Sequence, residues 1–376
     1  MACLLSAYYC MQDLRIKFSD TNWSGTLVFP KSFSDSSDSR TMLGAMRRLA
    51  ATLLLTAAST FAAPNYHAIG KVEVGGDGGW DYLTVDSAAH RLYVSHATHV
   101  VVIDLDSNKV VGDIPDTPGV HGIALAPKLN KGFISNGRGN NVTVFDMKTL
   151  KSLGQVATGQ NPDAIYYDSA TNRVFTFNGR SKDSTVINAD TLKVEGTIAL
   201  GDKPEFAQGD NKGMIYANLE ETHHMAVIDS KKMTLVKKYD LTGCESPSGL
   251  AFDVARNRLF SVCDGNVMAI SDPSAGKVVA TAKIGGGPDA AAYDVTKGYA
   301  LSSNGGDGTL TVVSATGDKY NVLQNAATHR GARTMALDEK THKVYLPIAE
   351  YEATTGAQQK RPPMKPNSFA ILILSE

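Results

Sequence analysis

A unit of about forty residues returns seven times along this chain, and that repetition limits the fold more than any other feature of the sequence. The clearest copies read DYLTVDSAAHRLYVS (residues 81–95), DAIYYDSATNRVFTF (163–177), SGLAFDVARNRLFSV (248–262) and DAAAYDVTKGYALSS (289–303). Fainter copies start at His121, Glu205 and Arg333. Each joins an alternating strand to a polar turn and then to a second strand that opens on Arg or Lys, an apolar residue and an aromatic one. The aligned turn positions are Asp86, Ala126, Asp168, Asp210, Asp253, Asp294 and Asp338, spaced by 40, 42, 42, 43, 41 and 44 residues. A third strand follows, such as HVVVIDLD or NVTVFDMK, then a fourth such as KVEGTIAL, and the unit closes on Gly-x-x-Pro or a variant. The apolar positions alternate with period two, which excludes a solenoid of helices.

Four short antiparallel strands per unit make a propeller blade, and seven units predict an all-β, seven-bladed β-propeller of four-stranded antiparallel blades. A lone blade buries too little apolar surface to offset the entropy of ordering it, so the faces packed between neighbouring blades must supply the rest. The last unit offers only three strands, at residues 333–338, 343–348 and 368–374. The missing fourth is available in HAIGKVEVGG (67–76), which resembles the fourth strand elsewhere. The last blade is therefore expected to be closed by the N-terminal strand, which removes the exposed edge of an open ring.

Ahead of the repeats, residues 46–63 read MRRLAATLLLTAASTFAA: two arginines, a short apolar run, then small residues. That is the pattern of a secretory signal peptide, with cleavage expected after Ala62. The apolar run is too short to span a bilayer as a mature helix. The domain plan is a non-native or disordered extension over 1–45, which an upstream mis-start of translation would explain, a signal peptide over 46–62, and the propeller over 63–376. The expected location is periplasmic or secreted. Export would leave Cys244 and Cys263 as the cysteines of the mature chain, on one blade and one face, where a disulfide is expected.

These residues resemble the YVTN-repeat propellers, the family of YncE-like periplasmic proteins. The likeness lies in the strand–turn–strand with N-R/K-apolar-aromatic, the VxVID-type third strand and the GxxPD junction, and it covers roughly residues 66–376. The signature tetrapeptide itself appears as YVSH, FISN, FTFN, IYAN, FSVC, ALSS and VYLP, never as YVTN. The resemblance implies a scaffold and a compartment. Similar propellers bind single-stranded DNA, form surface layers or serve as parts of redox and lyase enzymes, so function has to come from the site.

Where the first strands begin, Asp81, His121, Asp163, Glu205, Ser248, Asp289 and Arg333 are expected around one mouth of the central channel, with Trp80 beside the first. A crowded ring of carboxylates raises its own pKa values or recruits a divalent cation. The same side chains could instead cap the turns between blades. The loops between strands two and three add His96, His99, Asn136, Arg138, Asn178, Arg180, Asn218, Glu220, His223, His224 and Asn304 on the same face. Arg138 and Arg180 hold equivalent positions in adjacent blades, in NGRGN and NGRSK, where two arginines can grip a phosphate or carboxylate. His223 and His224 could ligate a metal with Glu220. In the last blade the loop over residues 349–367 is long enough to form a partial lid.

HExxH, Walker, Rossmann and GxSxG patterns are missing from the sequence. Lys plus Arg number 37 against 38 Asp plus Glu, so no global field draws nucleic acid or acidic lipid. The sequence therefore favours a monomeric binding module that uses the loop-bearing face for a small molecule, peptide or glycan. Nucleic acid enters by family resemblance only, and stacking aromatics are few on that face. The alternative is a metal-assisted lyase or lactonase with its site at the channel mouth.

Overall fold

The computed structural model describes residues 63–352 and 363–376; the extension, the signal peptide and the middle of the long last loop lie outside the described residues. The hairpin turn is the local device that makes each copy fold alike. At the end of the first strand in every blade but the second, where Ala126 stands, an aspartate turns its Oδ1 back on the chain and accepts backbone N–H groups two or three residues on. Asp86 takes those of Ala88 and Ala89, Asp294 those of Thr296 and Lys297, and Asp210 those of Lys212 and Gly213. The turn then needs a left-handed residue just before the second strand, and Asn130, Asn172, Asn257 and Gly298 fill that place with φ between 53° and 66°. Asn and Gly tolerate this conformation best, which explains the recurrent Asn-Arg and Asn-Lys of the sequence.

In blade 1 the strands Leu83–Asp86, Arg91–His96, His99–Asp104 and Lys109–Ile114 pair in chain order. Five further four-stranded sheets begin at Val120–Ala126, Pro162–Asp168, Pro204–Gly209, Glu245–Asp253 and Pro288–Asp294. The seventh holds Ala336–Asp338, Lys343–Ile348 and Ala370–Ser375, and His67–Glu73 pairs antiparallel with the last of these, Val72 opposite Ile371. The chain is a seven-bladed β-propeller sealed by its own N-terminal strand. Tyr66 anchors that strand to blade 6: its N–H donates to Gln324 Oε1 at 2.8 Å and its carbonyl accepts from Gln324 Nε2 at 2.9 Å.

Two strands are shorter than the sequence suggests. The first strand of blade 7 is three residues long, and upstream of it the Arg333 carbonyl accepts from the Ala290 N–H of blade 6. The closing strand stops at Glu73, since Gly75 and Gly76 take φ of 76° and 80° and leave the extended path.

Between blades the packing is apolar. Trp80, Leu83 and Val94 of blade 1 meet Val72, Phe369 and Ile371 of blade 7, while Tyr93, Val102 and Ile114 meet Ile123, Ile134 and Phe145 of blade 2. At the rim, every pairing of third with fourth strand carries a register shift, from Val102/Ile103 to Val312/Val313, and the closing strand has one at Ala68/Gly70. Such bulges twist the outer edges away from flat pairing with a second molecule.

Candidate functional site

One backbone bond recurs on the loop-bearing face and fixes where each first strand begins. The amides of Gly137, Gly179, Glu220 and Gly305, in loops between strands two and three, donate to the carbonyls of Gly119, Asn161, Lys203 and Gly287 in the connections between blades, at 2.8–2.9 Å. Clipped this way, the first strands deliver their leading side chains to one end of the channel.

There they form two sets of charged contacts. His121 Nδ1 lies 2.6 Å from Asp81 Oδ2 and 3.5 Å from Asp163 Oδ1. Arg333 Nη2 stands 3.4 Å from Asp81 Oδ1 and donates to the Trp80 carbonyl at 2.9 Å, while Nη1 bonds Asp289. Lys203 holds Glu205 at 2.5 Å and also bonds Glu220. Blades 6, 7, 1, 2 and 3 are linked in one run, and blade 4 carries a separate trio, Lys203 with Glu205 and Glu220. Blade 5 contributes no charge, because Ser248 turns its hydroxyl toward the carbonyls of Val262 and Pro288.

Five carboxylates (Asp81, Asp163, Glu205, Glu220, Asp289) thus face three cations (His121, Lys203, Arg333). Four of the five acids lie deeper than the cations, Glu220 being the exception. The side chains of Asp81 and Glu205 are 13% exposed, those of Lys203 and Arg333 34% and 43%. Burial and the missing positive charge show in the acidities. Burial lifts Asp163 to about 7, with the His121 charge opposing and that of Asp81 adding. Burial, the Asp163 charge and a hydrogen bond with Glu220 take Glu205 to about 8. Asp289 rises to about 6 through burial, held back by Arg333. Burial works against the His121 imidazolium, but the bond to Asp81 and the charges of Asp163 and Asp81 prevail and hold it at about 9.

Sequence reasoning missed Lys203, and it missed Tyr82. Tyr82 is buried, and its phenol is pushed well above the ordinary range by burial and then by Asp163, Asp81, Asp289 and Glu205. Its ring meets Phe206 edge-on at 4.9 Å, blade 1 touching blade 4. The two rings lie beneath the charged mouth, above a cavity of about 490 Å³ that the first strands of all seven blades line. A signal was present. The place after each leading residue holds Tyr82, Gly122, Ala164, Phe206, Gly249, Ala290 and Thr334, two rings among small residues.

Other expected residues lie elsewhere. The Trp80 indole packs on Phe369, centroids 5.2 Å apart, so only its carbonyl faces the cluster. Arg138 and Arg180 are exposed and make no side-chain hydrogen bond or ion pair among the described residues. Asn136, Asn178 and Asn304 are fully buried and lock onto Thr143, Thr185 and Thr311 of their third strands, which removes them from the ligand-facing set. His223 and His224 form no metal group with Glu220, which Lys203 occupies. Cys244 and Cys263 are joined by a disulfide, with Cα atoms 5.3 Å apart.

No family model and no curated protein matches the chain. Solved structures do, at the level of fold. A chain of Kuenenia stuttgartiensis hydrazine synthase aligns with 16% identity over 73% of this chain and 94% of that one, with a TM-score of 0.64. The structure of U3-55K aligns with 10% identity over 81% and 98%, TM-score 0.68, and the RRP9 WD40 repeats with 9% identity over 84% and 99%, TM-score 0.67. At these identities the likeness concerns the architecture alone, the β-propeller fold.

Proposed function

We propose that the protein is an exported, monomeric binding module that receives a positively charged ligand at the mouth of its channel. The observation that carries this reading is the excess of five carboxylates, four of them with side chains at most 20% exposed, over three cations, brought by several blades to one place. A purely structural hub would match its charges, since each unpaired buried carboxylate costs stability. Here three carboxylates are lifted toward neutral pH, so the mouth holds protons that a stronger cation can displace. Among small molecules, peptides and glycans, this selects an amine, a basic peptide or a metal ion. It disfavours nucleic acid, whose phosphates the acids would repel. The signal-like segment and the Cys244–Cys263 bridge support a periplasmic or secreted setting, where disulfides persist.

Calorimetric titration of the purified protein with spermidine, a tri-lysine peptide and divalent cations tests the reading. Saturable binding of at least one of these, lost in Glu205→Gln/Asp289→Asn, is expected. No binding by any of them would overturn it.

A second reading, a metal-assisted lyase or lactonase, draws support from the His121–Asp81 pair, a histidine oriented by a carboxylate. In the ligand-free protein that histidine is protonated near neutrality. It can donate a proton there, whereas general-base work would require the proton to leave first.

A further inference from the structure

We propose that Asp81, His121 and Asp163 form a binding site for one divalent transition-metal ion of the zinc class, with a coordination position left open toward the channel mouth. The inference rests on the reading of the mouth as a cation site and names its ligand. Among the described residues, these three are the group of acids and histidines whose donor atoms all fall within 4.8 Å of one another. Donors around a tetrahedral zinc ion, each about 2.0–2.2 Å from the metal, stand about 3.4 Å apart, within reach of small side-chain rotations here. A set of one imidazole nitrogen and two carboxylate oxygens suits zinc, and three protein ligands are the number used where a fourth position takes water or substrate.

An independent observation points the same way. Asp163 is 9% exposed, and its Oδ1 is buried with no hydrogen-bond partner, turned toward His121 Nδ1 at 3.5 Å. A buried carboxylate oxygen without a donor is costly, and a metal would satisfy it. The other two donors now share a proton at 2.6 Å, and the ion would take that proton's place, the proton passing to solvent.

The supports are built for fixed positions. Asp81 donates its amide to Ser95 Oγ at 2.7 Å and receives the Thr334 hydroxyl on its carbonyl at 2.6 Å. The His121 carbonyl accepts from Tyr82 N–H, and the Asp163 carbonyl accepts the Ser135 hydroxyl. Outside the donors, Arg333 rests against the second oxygen of Asp81. The His121 ring lies over Gly137, where a Cβ would come within 2.6 Å of Nε2 and 2.8 Å of Cδ2. That glycine has an ordinary backbone conformation, so space for the ring is the reason for its lack of a side chain.

The test is zinc itself. Chelator-treated protein titrated with ZnCl₂ should bind one equivalent. Asp163→Asn should weaken binding at least tenfold, and Gly137→Ala, which removes no ligand, should weaken it about tenfold by displacing the ring. X-ray absorption of the zinc-loaded wild type should show a light-atom shell at about 2.0–2.2 Å with one imidazole. That measurement decides the matter even if a variant fails to fold. Absence of saturable zinc binding, an Asp163→Asn protein that binds as tightly as wild type, or a shell with several histidines would each overturn the proposal. Amine binding without zinc binding would sink this inference alone. If neither bound, the reading of the mouth as a cation site would fall with it.

Discussion

His96 should make the closure of the ring acid-sensitive. It ends the second strand of blade 1, is 1% exposed, and stacks on Phe369 of blade 7 with centroids 4.2 Å apart. Neither ring nitrogen has a hydrogen-bond partner. Burial lowers its pKa to about 4, helped by the neighbouring His99 and opposed by Asp77. The folded protein therefore refuses a proton that the unfolded chain accepts below about 6.5. Stability from this residue is intact above pH 6.5 and is lost as the pH falls toward 4. Linkage puts the loss at about 2 kcal/mol between pH 7 and pH 5, and about 3 kcal/mol by pH 4. His96→Leu, of similar volume and without a titrating group, should escape it. Urea unfolding of both proteins at pH 7, 6 and 5, followed by fluorescence, gives the difference directly. The fixed cost of the substitution is the same at each pH, and the titrations of Asp163, Glu205 and Asp289 are common to both proteins. A gap that stays within about 0.5 kcal/mol from pH 7 to pH 5 would refute the burial argument.

Three further outcomes follow from the same structure. Asp163→Asn should gain stability over wild type as the pH rises from 5 to 8: a carboxyl with a raised folded pKa is stable in its neutral form and becomes a burden as it ionises. Melting temperatures that drop equally at both pH values would show instead that Asp163 is a structural cap. Replacing Cys244 and Cys263 by alanine should cost about 3 kcal/mol in unfolding free energy, from the loss of a 19-residue closed loop. Unchanged stability under denaturant would contradict that value. Deleting residues 66–74 strips Ala370–Ser375 of its partner and exposes a bare edge, so size-exclusion chromatography should find aggregate and no stable monomer. A monomeric, cooperatively folding truncation would show that the ring does not need sealing.

The architecture was legible because its causes are local and repeated. An aspartate that folds back on the next amides recurs in six of the seven copies and a left-handed residue, Asn in three of them, precedes the second strand, so the period and the hairpin can be read directly from the residues. The closing strand was legible by difference, as the one piece missing from the last copy. Depth and direction were not. Trp80 and His96 were placed on the loop face, yet both turn into the blade 1–blade 7 core against Phe369, more than 270 residues away in the chain. In a strand of period two, a shift of one residue exchanges solvent for core. Asn136, Asn178 and Asn304 looked like surface donors, and their partners are threonines on their own third strands. The Tyr82–Phe206 contact joins blades that are not neighbours, which no analysis of single units reveals.

The mouth differs from the turns in how its carboxylates are satisfied. At the turns, every aspartate discussed above has backbone donors in reach, and the buried asparagines are paired with threonines. At the mouth, Asp163 keeps a buried oxygen without a donor, two acids crowd Lys203, and one arginine serves two aspartates. A chain able to pair its charges so completely at six turns could have avoided the buried charge at the channel end by placing an asparagine at position 163. Natural folds break their own local rules mainly where something else completes them. The unpaired carboxylate, beside the His121–Asp81 pair, is therefore the feature of this mouth that calls for a ligand.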